Sequence, residues 1–143
     1  MNFKRWLFPG TFSIRIDVVL LLIRIVFGFS MLSHGIRKIS KLTSGESSFA
    51  DPIGLGSDIS LYLVVFAEFI CVILIIIGLF TRLACVPIII TMLVAIFIVH
   101  GSDPFSEKEV AILYLCGFYV LYLAGPGSIS LDRKLFSTKL QTI

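Results

Sequence analysis

The chain has 143 residues, 57% of them hydrophobic, with a mean hydropathy of +1.03 and a net charge of +3. A water-soluble domain of this length has no interior large enough for so much apolar side chain, so the composition points to the lipid bilayer. The basic residues lie beside apolar runs, where they read as topology signals and lipid-headgroup contacts, and a nucleic-acid role is excluded.

Lys4, Arg5 and Arg15 precede the first apolar run in the manner of a signal peptide. That run contains Arg24, continues through Met31 and Leu32 and offers no small-x-small cleavage site, so it is expected to stay as a first span over 17–39. Residues 40–58 hold five serines, three glycines, Pro52 and three acids, a loop composition. A second span is predicted over 59–80 and a third over 83–99. Only Thr81 and Arg82 stand between them, which demands an antiparallel hairpin. Residues 101–105 break the chain before a fourth span over 109–124. Ser106 and Glu109 have the spacing of a capping box, and Gly125-Pro126-Gly127 is a stop signal. The fold class is therefore all-α, a polytopic membrane protein built as one four-transmembrane-helix bundle. The third and fourth spans are short enough to need little tilt, and a half-inserted fourth helix is the alternative.

Lys4, Arg5, Arg15, Arg82, Arg133, Lys134 and Lys139 fall on one side of this topology and Arg37, Lys38, Lys41 and Lys108 on the other. That asymmetry predicts both termini in the cytoplasm. Glu46, Asp51, Asp58, Asp103 and Glu107 collect on the opposite side.

Ionisable residues inside spans are expensive in hydrocarbon unless paired, hydrated or turned to the bundle interior. Arg24 lies a third of the way into the first span and Glu68 near the middle of the second. Their depths differ by about 5–10 Å, which an arginine can bridge. Two readings stay open: an ion pair that fixes helix register, and the charged floor of a ligand or proton site. Arg24, Gly28, Met31, Gly35 and Lys38 share one stripe of the first helix at 4-3-4-3 spacing, with His34 on its flank, and the stripe is expected to face inward. Gly28 and Gly35 suit close helix approach.

His34, Lys38 and His100 fall near the outer face. Each histidine is either an interfacial residue satisfied by water or a carbonyl, or a contact for a small molecule such as a quinone headgroup. Two histidines alone mark no haem pocket, and no metal or haem is expected. Cys71, Cys85 and Cys116 stand singly in apolar surroundings and read as small buried hydrophobes, without the paired dithiol of a thiol relay. Trp6, Phe8, Phe105, Tyr119 and Tyr122 fit interfacial belts or lipid-facing packing. Phosphate-binding glycine loops, nucleophile elbows and zinc-protease motifs are missing.

The order of these features resembles the DoxX family of small bacterial membrane proteins over nearly the whole chain. The resemblance is carried by Leu22-Ile23-Arg24, His34-Gly35-Ile36-Arg37-Lys38, Ala67-Glu68, Gly78-Leu79-Phe80-Thr81-Arg82-Leu83-Ala84, His100, and Gly125-Pro126-Gly127-Ser128-Ile129-Ser130-Leu131-Asp132. It implies a four-helix bundle of the bacterial inner membrane. It also implies association with quinol oxidation, thiosulfate:quinone oxidoreduction or partnership with stress-defence enzymes. Arg24, His34, Lys38, Glu68, Arg82 and His100 match the family's polar pattern. The leading expectation is a membrane subunit of a quinone-linked or redox-protective assembly, with a protein partner or a second copy. Arg24, His34, Lys38, Glu68 and His100 would line an interhelical pocket, Glu68 or His34 would handle protons, and Arg24 would hold Glu68 ionised. A non-catalytic scaffold for a partner enzyme is the second hypothesis and a small transporter the third.

Overall fold

The structure, a computed structural model, describes residues 13–44 and 49–136. Lys4, Arg5, Trp6, Phe8, Glu46 and Lys139, named above for topology or interfacial packing, lie outside the described residues. Helix α1 covers Ile14–Thr43, α2 Ser57–Ile77, α3 Thr81–Val99 and α4 Phe105–Ala124, and a short α5 covers Leu131–Phe136. The described residues are all helix and connection, and α1, α2 and α3 are each long and apolar enough to cross a membrane. The 20-residue α4 carries Glu107, Lys108 and Glu109 in its opening turns.

Helix α1 packs along α2 and α4, and α3 packs along the same two, so α1 and α3 stand diagonally across an up-and-down bundle. Their shared interior holds Met31, Cys71, Val72, Ile75, Cys85, Ile88, Phe118 and Leu121. The helices carry buried polar residues among this apolar core and expose large apolar side chains outside. On α1 the buried stripe is Asp17, Leu20, Arg24, Gly28, Met31 and Gly35, while Val18, Leu22, Val26, Phe29 and Ile36 are exposed. Such an arrangement suits hydrocarbon, where burial of apolar surface does not drive association and close contact at small residues does. Gly28 faces the Ile76 side chain, Gly117 the Phe27 ring and Gly35 the main chain of α2.

The boundaries correct three expectations. Helix α1 extends beyond 17–39 at both ends, with Asp17 in its first turn and Lys41 in its last, charges that complement the helix dipole. Helix α2 stops at Ile77, not 80. The Leu79 amide bonds to Leu74 O at 2.8 Å and the Gly78 amide to Ile75 O at 3.0 Å, a left-handed helix stop centred on Gly78 at φ 74°. Residues 78–80 therefore form the hairpin turn, and Thr81 and Arg82 open α3. Helix α4 begins at Phe105, four residues before 109. Pro104, extended at φ −62° and ψ 159°, is the entry residue, and no side chain caps this end. The capping box at Ser106 and Glu109 is not used.

The connection before α2 is fastened by Asp51, whose carboxylate accepts the Leu55 amide at 3.0 Å, the Gly56 amide at 2.8 Å and the Ser60 hydroxyl at 2.9 Å. These donors, Gly56 foremost, hold the Asp51 carboxyl below the ordinary aspartate range. A carboxyl lowered by folding stabilises above its unfolded value, and that contribution disappears as pH falls through the lowered one. Amide protection of Leu55 and Gly56 should therefore survive past the ordinary aspartate titration and vanish only at more acid pH. Asp51→Ala should abolish the protection at every pH.

Candidate functional site

Polar side chains gather at the two ends of the bundle interior, and their chemistry differs. At the end where α1 begins and α2 and α4 finish, the buried charges are spent mainly on main-chain groups. Arg24, only 2% exposed, donates from Nε to Ile75 O at 2.9 Å and from Nη2 to Ile76 O at 2.7 Å. Its Nη1 donates to Pro126 O at 2.9 Å and Ile129 O at 2.7 Å. Four of the five N–H groups of a guanidinium are thus engaged, two of them on the final carbonyls of α2, where the helix dipole favours a cation.

Asp17 accepts the Ser128 amide at 2.7 Å and its hydroxyl at 2.5 Å. Asp132 accepts the Phe80 and Thr81 amides at 2.8 and 3.2 Å, capping the start of α3. Burial pushes the Asp132 carboxyl above the ordinary aspartate range, against the pull of those amides and of Arg24. Arg82 donates to Leu123 O at 2.5 Å in the last turn of α4. Arg24, Asp17 and Asp132 therefore clasp segment 125–132 onto three helix ends, and Arg82 ties the start of α3 to the last turn of α4. Gly78 sits inside this clasp, where an added Cβ would lie 2.6 Å from Arg24 Nη2 and from Ser130 Cβ.

The predicted Arg24–Glu68 partnership is not formed. In a helix the Cα–Cβ bonds tilt toward the N-terminus, so the Arg24 side chain runs away from Glu68 and toward the clasp. The same tilt brings Lys38, one turn above Gly35, back down onto Glu68. Lys38 Nζ lies 2.5 Å from Glu68 Oε1, and the Glu68 side chain is only 4% exposed. Lys38, not Arg24, is the cation paired with Glu68. Glu68 stands on a π-helical turn over Phe66–Cys71, an irregularity that re-aims side chains within a helix. A Cβ on Gly35 would lie 2.5 Å from Glu68 O, so α1 and α2 touch main chain to main chain at this level.

His34 belongs to the same cluster, within electrostatic range of Glu68, Lys38 and Arg37. Its Nδ1 lies 3.2 Å from Arg37 Nη2, and its ring stands edge-on to Tyr114 at 5.7 Å between centroids. The Tyr114 hydroxyl pairs with Ser30 Oγ at 2.6 Å, and its ring continues into Phe27 and Phe118. The Glu68 Oε2 atom is buried and has no hydrogen-bond partner among the described residues.

His100 stands apart. It ends α3, half-buried, with Nδ1 at 2.8 Å from the Asp103 carboxylate on the following turn. Of the five candidate ligand-binding residues, the structure joins His34, Lys38 and Glu68, commits Arg24 to the clasp, and places His100 with Asp103. Sequence reasoning missed Tyr114 and Ser30. Ser30, one turn before His34 on α1, was the available signal. Cys71 and Cys85 are buried as expected, whereas Cys116 is exposed on α4.

Long apolar-faced helices around a charged interior define a small helical integral membrane protein. The chain belongs to the DoxX family, whose model matches residues 19–101, a stretch that includes the Glu68 cluster and Arg24. It is similar to an uncharacterized protein of Haemophilus influenzae, 30% identical over 125 residues that take in 80% of this chain and 88% of the relative. No solved structure matches it.

Proposed function

We propose that the chain crosses the inner membrane four times and serves as a subunit of a quinone-linked or redox-protective assembly, with the Glu68–Lys38–His34 cluster as its headgroup site. At 1.5 Å per residue, the 20 residues of α4 extend about 30 Å, enough to span with Glu107, Lys108 and Glu109 at the interface. Arg15, Arg133 and Lys134 mark the clasp end as cytoplasmic, which sets Glu68 and His34 toward the outer half. The observation that carries the reading is Glu68 Oε2, a buried carboxylate oxygen without a partner among the described residues, in a family of bilayer proteins. A buried acceptor left open is costly for stability alone, and a ligand that fills it turns that cost into affinity.

Native mass spectrometry of protein extracted gently from its own membranes tests this. Wild type should carry a quinone-mass adduct. Glu68→Gln, which keeps the shape and loses the charge, should lose it while Tm moves by only about 2–4 °C. Lys38 keeps 26% of its side chain exposed and can be solvated in that variant. The alternative, a scaffold that anchors a partner enzyme, draws on the commitment of Arg24, Arg82, Asp17 and Asp132 to main-chain groups. A stoichiometric protein partner with no small-molecule adduct would favour it.

A further inference from the structure

At the end where α1 begins, α2 stops and α3 starts, the clasp fixes how α5 is turned. The Asp132 carboxylate accepts the Phe80 and Thr81 amides, and the Asp132 amide donates to Gly78 O at 2.8 Å, so this residue is pinned inward. At about 100° per residue, Lys134 stands about 200° further round the helix. It is exposed, and so is Leu135 beside it. The Phe80 ring lies 5.7 Å from that of Phe136, which joins the hairpin turn to α5. Phe80 takes the left-handed conformation at φ 48°, which a bulky side chain avoids, and the turn leaves it exposed instead of placing it in the core.

Charge at this end is one-sided. Arg15 and Lys134 are exposed and Arg133 partly so, while the acids that share the end, Asp17 and Asp132, are buried and taken up by Ser128, Phe80 and Thr81. None of the three cations forms an ion pair with another described residue. The exposed acids among the described residues, Asp51, Asp58, Asp103, Glu107 and Glu109, all belong to the opposite end. Three unneutralised cations near exposed Phe80, Ile129 and Leu135 suit a ligand with an anionic head and an apolar tail.

We infer that this face binds an anionic phospholipid, with Arg15, Arg133 and Lys134 meeting the charged headgroup and Phe80, Ile129 and Leu135 lying among the upper acyl carbons. These residues flank the starts of α1 and α3 and the end of α2, the level at which spanning helices meet the headgroups. Six residues make no stable helix alone, so α5 depends on what packs against it. The clasp holds its inner side and the lipid covers its outer one. Lipid that steadies α5 thereby steadies the Asp132 cap on α3 as well. The surface lies at the opposite end of the bundle from the Glu68 cluster, and neither reading depends on the other.

The test uses the full chain in nanodiscs of phosphatidylcholine alone or mixed equally with phosphatidylglycerol of the same acyl chains. Native mass spectrometry of protein released from the mixed discs should find phosphatidylglycerol enriched over phosphatidylcholine by roughly fivefold or more, since one cation near an anionic surface already contributes about that much. Amide exchange over 129–136 should be slower in the mixed discs by roughly threefold or more. Arg133→Gln combined with Lys134→Gln should abolish both effects. Lys41→Gln combined with Lys108→Gln, which removes two cations from the opposite end, should leave both. Glycerol phosphate, which has the head chemistry and no acyl chains, should not slow exchange when added to phosphatidylcholine discs. Equal retention of the two lipids, a preference that survives the loss of Arg133 and Lys134 or disappears with Lys41 and Lys108, or slowing by glycerol phosphate alone overturns the inference. A protein retained stoichiometrically by wild type and lost in the Arg133 and Lys134 variant overturns it too, in favour of a protein on this face. The comparison of the two lipids on wild type needs no variant, so it decides the matter even if a variant does not fold.

Discussion

Arg24→Met should destabilise the protein by about 3–5 kcal/mol, the largest effect expected of any single polar substitution here. Methionine fills much of the same volume but provides none of the four hydrogen bonds to Ile75, Ile76, Pro126 and Ile129. All four carbonyls lose the arginine, but Ile75 O keeps the Gly78 amide, so three are left without a partner among the described residues. Each buried orphan costs about 1–3 kcal/mol, partly offset because a desolvated cation has also been removed. Arg24→Lys should recover less than half of the loss, since an ammonium is a point charge and cannot reach two helix-end carbonyls and two loop carbonyls in four directions. Denaturation in mild detergent measures the loss, and amide exchange in segment 126–130 should rise with it. A variant as stable as wild type would mean that the clasp does not hold this end together.

Gly35→Val should both destabilise the bundle and empty the Glu68 site. Its side chain would meet the carbonyl oxygen and carbon of Glu68 and the amide nitrogen of Phe69, main-chain atoms that move only if α2 moves. Forcing the helices apart should cost about 1–3 kcal/mol and separate Lys38 from Glu68. Gly28→Ala is the control, because its added methyl meets only the side chain of Ile76, which can change rotamer. Thermal unfolding should show a clearly smaller loss for Gly28→Ala than for Gly35→Val, and adduct retention by native mass spectrometry only for the former. Equal effects would remove the main-chain contact from the account of this site.

The helices were legible in the sequence because apolar runs of this length have few alternatives in a bilayer, and the inward stripe of α1 followed from its spacing. Their ends were less legible. Ser106 and Glu109 carry the letters of a capping box, yet Pro104 sets the helix start, because its fixed φ organises the chain before any side-chain hydrogen bond is needed. The two charges that attracted attention, Arg24 and Glu68, were joined on depth alone. Side-chain direction along α1 decides against that pairing and was available from helix geometry. Asp17 was read as a span boundary and Asp132 as the end of a motif. Their work as acceptors for Ser128, Phe80 and Thr81 depends on contacts more than 50 residues apart, which periodicity cannot show. Tyr114 stayed hidden among the other aromatic residues of α4 because only the fold turns it, and not Tyr119, toward His34.

The clasp also fixes an order of events in biogenesis. Arg24 emerges early and enters the bilayer with the first helix, but two of its four acceptors lie 102 and 105 residues further along the chain. Asp17 must wait 111 residues for Ser128. Until segment 125–132 has left the ribosome, α1 carries charges whose partners do not yet exist, and the bundle cannot close around them. A chain that stops before segment 125–132 leaves Arg24 without two of its four acceptors and Asp17 without Ser128.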